Sequence, residues 1–260
     1  MENETVTSGL PAQQSSPAYR LAALDHEFLM GDSMRGVRFL LEYAKAEEVL
    51  RAWNIRSTVV VFGSARARPD GPGRQAFWYA EARAFADLCS REGGALDGEG
   101  RPRDNVIATG GGPGIMEAAN RGAHDAGAPT IGFNITLPRE QLPNPYTTPE
   151  LTFRFHYFSM RKMHLAMRAN ALVVFPGGFG TMDELFEILT LVQTRKGRKI
   201  PIVLVDDEFW NEAINFETLV RNGMVDKSEL EIFEHAKDGA DAWRILVSRG
   251  IPQLKPLNAR

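Results

Sequence analysis

Short apolar runs that end in glycine, each followed by a helical pattern, constrain this chain more than any other feature. Residues 57–62 (STVVVF) end in Gly63 and Ser64. Residues 105–108 end in Thr109 and the run Gly110, Gly111, Gly112. Residues 171–175 (ALVVF) end in Pro176, Gly177 and Gly178. Runs that are apolar throughout suit strands buried on both faces, and such strands separated by helices form parallel sheets. Further strands are expected at 130–133, 151–155 and 200–205, six in all. Helices are expected at 75–91, 115–126, 159–169, 181–194, 208–222 and 240–249, with a short extended piece at 230–233. The implied fold is α/β, a Rossmann-like doubly wound parallel sheet with helices on both faces. In such sheets a ligand lies beyond the carboxyl ends of the strands, where the strand order reverses.

The flanks read differently. Residues 1–18 are rich in Ser, Gln, Pro and Thr and are expected to form a disordered tail. A helical extension is expected over 19–55, the Rossmann-like domain over 56–250 and a C-terminal tail over 251–260. The formal net charge of -3 carries no basic surplus for nucleic acid or a membrane surface. No apolar run approaches the ~20 residues that span a bilayer, and the N-terminus has no signal-peptide pattern. The single cysteine, Cys89, sits in an apolar helical pattern and is read as a core thiol in a reducing, cytoplasmic setting.

Two glycine turns carry the chemistry. Gly110, Gly111, Gly112 and Gly114 follow a strand and open a helix, where bare backbone N–H groups and the helix dipole favour an anion. Pro113 is expected in the first helical turn. The dinucleotide fingerprint would need glycine at 115, where the chain has Ile115. The second turn, Gly177, Gly178, Phe179, Gly180 and Thr181, repeats the logic. Thr181 is expected to cap the helix, and Glu184, three residues on, also completes a capping box. No lysine follows the glycines, so this is not a Walker A loop.

The segment SMRKMH (159–164), the segment PGGFGTMDE (176–184) and the stretch GGGPGIMEAA resemble the Lonely Guy family, across roughly residues 57–205. The resemblance implies hydrolysis of the N-glycosidic bond of a purine nucleoside 5′-monophosphate, of the AMP or cytokinin type, to free base and ribose 5-phosphate. It assigns catalysis to Arg161 and Glu184. It assigns nucleotide and phosphate binding to Gly177, Gly178, Gly180, Thr181, Met160, Lys162, Gly110, Gly111, Gly112, Gly114, Met116 and Glu117, with Gly63 and Ser64 at the neighbouring strand end. It implies a homodimer or higher homo-oligomer; no cofactor is expected, and no metal, since no His, Cys, Asp or Glu cluster has metal-ligand spacing. The chain departs from short plant-type members at Met160, where they carry an acid, in its N-terminal extension and in a loop over 93–105.

These residue types suit the reaction. A carboxylate beside the anomeric carbon stabilises an oxocarbenium-like ribosyl cation and orients water. A guanidinium binds phosphate or ribose with two parallel donors and stays charged. Elsewhere, His156 and His164 are read as structural or pocket-rim residues. Asp183 is read as a helix-start acid. Asp206, Asp207 and Glu208 are read as a solvated strand end with the cap at Asp207. A pyridoxal phosphate site at Lys162, and with it literal lysine decarboxylation, is rejected for want of a cofactor domain. The helix over 184–194 is apolar on nearly all sides and is expected at a subunit contact. The competing readings are a non-catalytic nucleotide-binding or sensing protein and a molybdenum-cofactor carrier-like protein on the same fold.

Overall fold

A computed structural model describes residues 11–98, 100–137 and 142–253. The described chain forms two compact units that part between Ala44 and Lys45. In the first unit, α1 (Ala12–Ser15) and α2 (His26–Met30) are joined by short 3-10 turns. The guanidinium of Arg38 closes this segment by donating to the carbonyls of Leu29 and Gly31, both at 2.7 Å. Helix α3 (Arg35–Ala52) runs through the boundary. The expected tail over 1–18 lies outside the described residues up to position 10, and its described part carries α1 and a 3-10 turn at Pro17–Tyr19.

The second unit is a seven-stranded, wholly parallel sheet in the order β4-β3-β2-β1-β5-β6-β7. The strands are β1 (Thr58–Phe62), β2 (Val106–Thr109), β3 (Ile131–Ile135), β4 (Thr152–Phe155), β5 (Ala169–Val174), β6 (Ile202–Val205) and β7 (Phe233–Ala236). The central strands read as expected because both of their faces are covered. On β1, Val59 and Val61 pack into one core with α4 (Gln75–Glu92), α5 (Ile115–Asp125) and α10 (Gly239–Ser248). Val60 and Phe62 point the other way, into a core shared with α6 (Phe158–Met167), α7 (Phe179–Gln193) and α8 (Asp207–Ala213). Each face therefore takes alternate residues of the same apolar run. Cys89 lies fully buried in the first of these cores. Edge strand β4 keeps an exposed position, Arg154, between buried Phe153 and Phe155.

Three expectations over the C-terminal third need correction. The extended piece lies at β7 rather than 230–233, because Lys227–Ile232 is a 3-10 helix closed at its start by an Asp226–Glu229 capping box. The helix expected over 208–222 is two helices, α8 and α9 (Phe216–Arg221), because Ile214 is extended and the Asn215 side chain caps the second. The strand end after β6 is solvated at Asp207 and Glu208 but not at Asp206. Asp206 is 2% exposed, and it rather than Asp207 caps α8. Its carboxylate accepts from the Trp78 indole at 2.6 Å, from Arg74 at 3.0 Å and from the Phe209 amide at 3.3 Å, which satisfies the buried charge.

Glu47 on α3 is clamped by two arginines. It accepts from Arg168 Nη1 at 2.8 Å and from Arg51 Nε at 2.6 Å. The hydrogen bond from Arg168 leads in holding its carboxyl down, from an ordinary 4.5 to about 2. Between those values the unfolded chain binds the proton that the folded chain refuses, so this stabilisation is complete above pH 4.5 and is lost as pH falls toward 2. Glu47→Gln should cost on the order of 2 kcal/mol at neutral pH. In urea titrations the gap between the two proteins should close across that acid window; a gap independent of pH would show that the pair does not hold the proton off.

Candidate active site at the strand-order reversal

The sheet order runs from β1 outward to β4 on one side and from β5 outward to β7 on the other, so it reverses between β1 and β5. The carboxyl ends of these central strands carry the glycine turns. Ser64 joins them: its N–H donates to the Pro176 carbonyl and its carbonyl accepts from Ile115 N–H, both at 3.0 Å. Gly63 lies directly against the Ile115 side chain, so Gly63 and Ser64 brace the turns. Gly114 has φ 72 and lies so close to the Ser64 carbonyl and Ala65 that any Cβ would collide. Gly114 is also the residue preceding α5, which places Pro113 outside the helix rather than in its first turn.

The first turn is held by a buried polar network that the sequence reading missed. Thr109 Oγ1 accepts the Gly111 N–H at 2.9 Å and donates to Asn120 Oδ1 at 2.7 Å. Asn120 Nδ2 donates to Thr130 Oγ1 at 2.7 Å. Asn144 donates from its backbone to the Gly111 carbonyl at 2.9 Å and from its side chain to the Gly112 carbonyl at 3.0 Å. The Gly111 N–H is thus engaged within the protein and is not open to an anion. The signal was present: Asn120 is a polar residue on the face of α5 otherwise formed by Ala118, Ala119 and Ala123.

The second turn keeps its amides open. Helix α7 begins at Phe179 with Gly178 before it, and among the described residues no side chain caps it. Thr181 is therefore the third helical residue and not the cap, and the capping box with Glu184 does not form. The first-turn amides of Phe179, Gly180 and Thr181 have no intrahelical acceptor. Gly178 and Gly180 have open space where side chains would stand, while Gly177 packs against the Thr181 side chain. An uncapped, unobstructed helix start of this kind can receive an anion.

One turn further along α7, Glu184 is 5% exposed and ion-paired with Arg161 of α6. Burial pushes the Glu184 carboxyl above its ordinary 4.5, with the Arg161 charge and hydrogen bond opposing. The Arg161 guanidinium lies 5.6 Å from the Phe158 ring. Its Nη1 stands 3.8 Å from where a Gly110 Cβ would be, so the pair from α6 and α7 reaches the first glycine turn. Met116 lies over Gly110 as well. Met160 packs on the core beneath α6. Glu117 accepts from the Tyr79 hydroxyl at 2.8 Å, and burial, with Glu117 adding to it, pushes that hydroxyl up to about 12. Lys162 is engaged by Asp183 at 2.7 Å and Glu187 at 3.0 Å, which also gives Asp183 a clamp role in place of a helix-start one. His164 is buried in the core against Phe155 and Phe133, at ring distances of 5.5 and 6.1 Å. Among the described residues, no group of three His, Cys, Asp or Glu side chains is placed to hold a metal ion. No described helix is long and apolar enough to cross a membrane.

Comparison with known proteins bears on this site. The family model described as "Possible lysine decarboxylase" matches residues 116–246. A probable cytokinin riboside 5′-monophosphate phosphoribohydrolase of Oryza sativa subsp. japonica is 28% identical over 140 residues, 53% of this chain and 56% of that protein. A cytokinin riboside 5′-monophosphate phosphoribohydrolase of Arabidopsis thaliana is 27% identical over 135 residues, 51% of this chain and 61% of its own length. A further enzyme of that name from Oryza sativa subsp. japonica is 30% identical over 147 residues, 55% of this chain and 54% of that one. The chain thus spans little more than half the length of these relatives. Among solved structures, the molybdenum cofactor binding protein from the phototrophic bacterium Rippkaea orientalis aligns with a TM-score of 0.52 at 18% identity, covering 75% of this chain and 97% of that one. That likeness concerns the fold.

Arg161 is the main influence holding the Glu184 carboxyl down against burial. Replacing it by alanine should therefore raise the Glu184 pKa further, read by carboxyl-carbon NMR titration, while Arg161→Lys should raise it less. An unmoved titration in Arg161→Ala would show that the two side chains are not coupled.

Proposed function

The chain belongs to the family described as "Possible lysine decarboxylase", that of the Lonely Guy proteins, and from that premise we propose that it hydrolyses the N-glycosidic bond of a purine nucleoside 5′-monophosphate. The observation that carries the reading is the buried Arg161–Glu184 pair, set between the open start of α7 and the glycine turn at Gly110. The 5′-phosphate rests on the amides of Phe179, Gly180 and Thr181, with the open faces of Gly178 and Gly180 admitting it. Binding energy from this remote anchor is then available at the sugar. Arg161 orients the ribose and keeps Glu184 available as a carboxylate despite its burial. Glu184 faces the anomeric carbon, stabilises positive charge there and positions a water. As the bond from C1′ to the base nitrogen breaks, the water oxygen bonds C1′, and its proton passes through Glu184 to the departing base. The products are free base and ribose 5-phosphate. AMP and cytokinin-type nucleotides are the substrates this reading names, in line with the names of the plant relatives.

The same reading includes a homo-oligomer in a reducing, cytoplasmic setting. Helix α7 turns Leu185 and Ile188 into the core, but Phe179 is 93% exposed, and Phe158, Met167 and Phe186 also keep substantial exposure. A groove of about 410 Å³ beside them is lined by Met163, Met167, Leu191 and Val192. Apolar surface gathered on two adjacent helices marks an interface, and a second copy offers the matching surface. Sedimentation should give at least a dimer.

Incubation with AMP and with isopentenyl-AMP, followed by chromatography, should yield free base. Glu184→Gln should fold, bind AMP and lose at least about a hundredfold in turnover. Retained turnover would remove Glu184 from the mechanism. Binding of AMP without base release from the unmodified protein would favour a sensor.

A further inference from the structure

Two buried donors flank the turn at Gly110 and Gly111. Arg161 stands on one side, its Nε buried without a hydrogen-bond partner among the described residues. Asn134, near the carboxyl end of β3, stands on the other. It is 8% exposed, and its Nδ2 is likewise buried without a partner among the described residues. Leaving a buried amide donor unpaired is costly, so such a group calls for an acceptor from outside the chain. The adjacent carbonyls are turned to another donor: that of Gly111 accepts from Asn144 N–H at 2.9 Å, and that of Gly112 from Asn144 Nδ2 at 3.0 Å. The turn is also shaped around this carboxamide. Gly111 has φ 69, and any Cβ there would collide with Asn134.

Its place along the sheet decides which part of a ligand it meets. From β5, whose end carries the open helix start, the order runs through β1 and β2 to β3. Three strand spacings amount to about 14 Å. The phosphate anchor lies at one end of that span, the Arg161–Glu184 pair reaches Gly110 between, and Asn134 lies at the far end, where a mononucleotide presents its base. Resting on the hydrolase reading, we propose that Asn134 holds the base edge and selects 6-aminopurine over 6-oxopurine nucleotides. The carboxamide offers a donor to N7 and an acceptor to the exocyclic N6–H, the pairing by which asparagine reads adenine. A 6-oxopurine presents acceptors at both N7 and O6 and sets one of them against Oδ1.

Calorimetric titration with AMP, IMP and GMP tests this, with base release followed for the same nucleotides. The unmodified protein should bind AMP roughly ten- to hundredfold more tightly than IMP or GMP. Asn134→Ala and the shape-conserving Asn134→Leu should bring that ratio close to one while leaving ribose 5-phosphate affinity unchanged. Equal affinity of the unmodified protein for AMP and IMP overturns the assignment. So does a preference that survives both substitutions in proteins of unchanged melting temperature. A protein that prefers AMP through Asn134 but releases no base fails as a hydrolase and keeps the selectivity assignment. One that releases base from AMP and IMP alike, without preference in binding, is a hydrolase in which Asn134 has no selective role. Binding none of the three nucleotides overturns both.

Discussion

The backbone of Ser64 is the joint on which the rest of the site depends. Its N–H and carbonyl reach in opposite senses, to Pro176 and to Ile115, and so tie the turn after β5 to the helix start after β2 through the end of β1. That link needs close backbone approach. Gly63 against Ile115 and Gly114 against Ser64 leave no volume for side chains. The parallel sheet imposes the proximity, because its order reverses where these strand ends lie side by side. A crevice at that place follows from topology before any ligand-binding residue is considered.

On this joint the two glycine turns divide the work. The turn after β2 is closed by Thr109, Asn120 and Asn144 and serves as a rigid wall. The turn after β5 leaves its helix start uncapped among the described residues and is the anion seat of the proposed reaction. The Arg161–Glu184 pair lies between, buried enough that its carboxyl is pushed upward and close enough to Gly110 that both turns bear on one ligand. Rigidity on one side and open amides on the other suit a site that must hold a substrate still while a bond breaks.

Much of this was legible in the residues. Strands buried on both faces announce themselves as apolar runs, and glycine marks their ends, so the sheet and its helices could be anticipated; the pairing of Arg161 with Glu184 followed only from the resemblance to the Lonely Guy family. The start of α7 could not be anticipated. Thr181 fits the pattern of a cap, but the extended Gly178 precedes the helix, which begins two residues sooner. Asp206 looked solvated because its partners, Arg74 and Trp78, lie more than a hundred residues away in sequence. Asn134 gave no local sign, since one polar residue in a strand reads as an ordinary outward position. Only the fold shows that it faces the glycine turn.

Helix α7 carries the anion seat and the acid on one rod. Gly180 and Glu184 are separated by a single turn, a rise of about 6 Å that no side-chain motion alters. The enzyme proposed above therefore contains a ruler. A nucleoside without its phosphate has nothing to set the zero mark. A diphosphate seated by its terminal group carries its sugar past the acid. In that proposed enzyme, selection for a single phosphate comes from helix pitch rather than from any residue that inspects the tail.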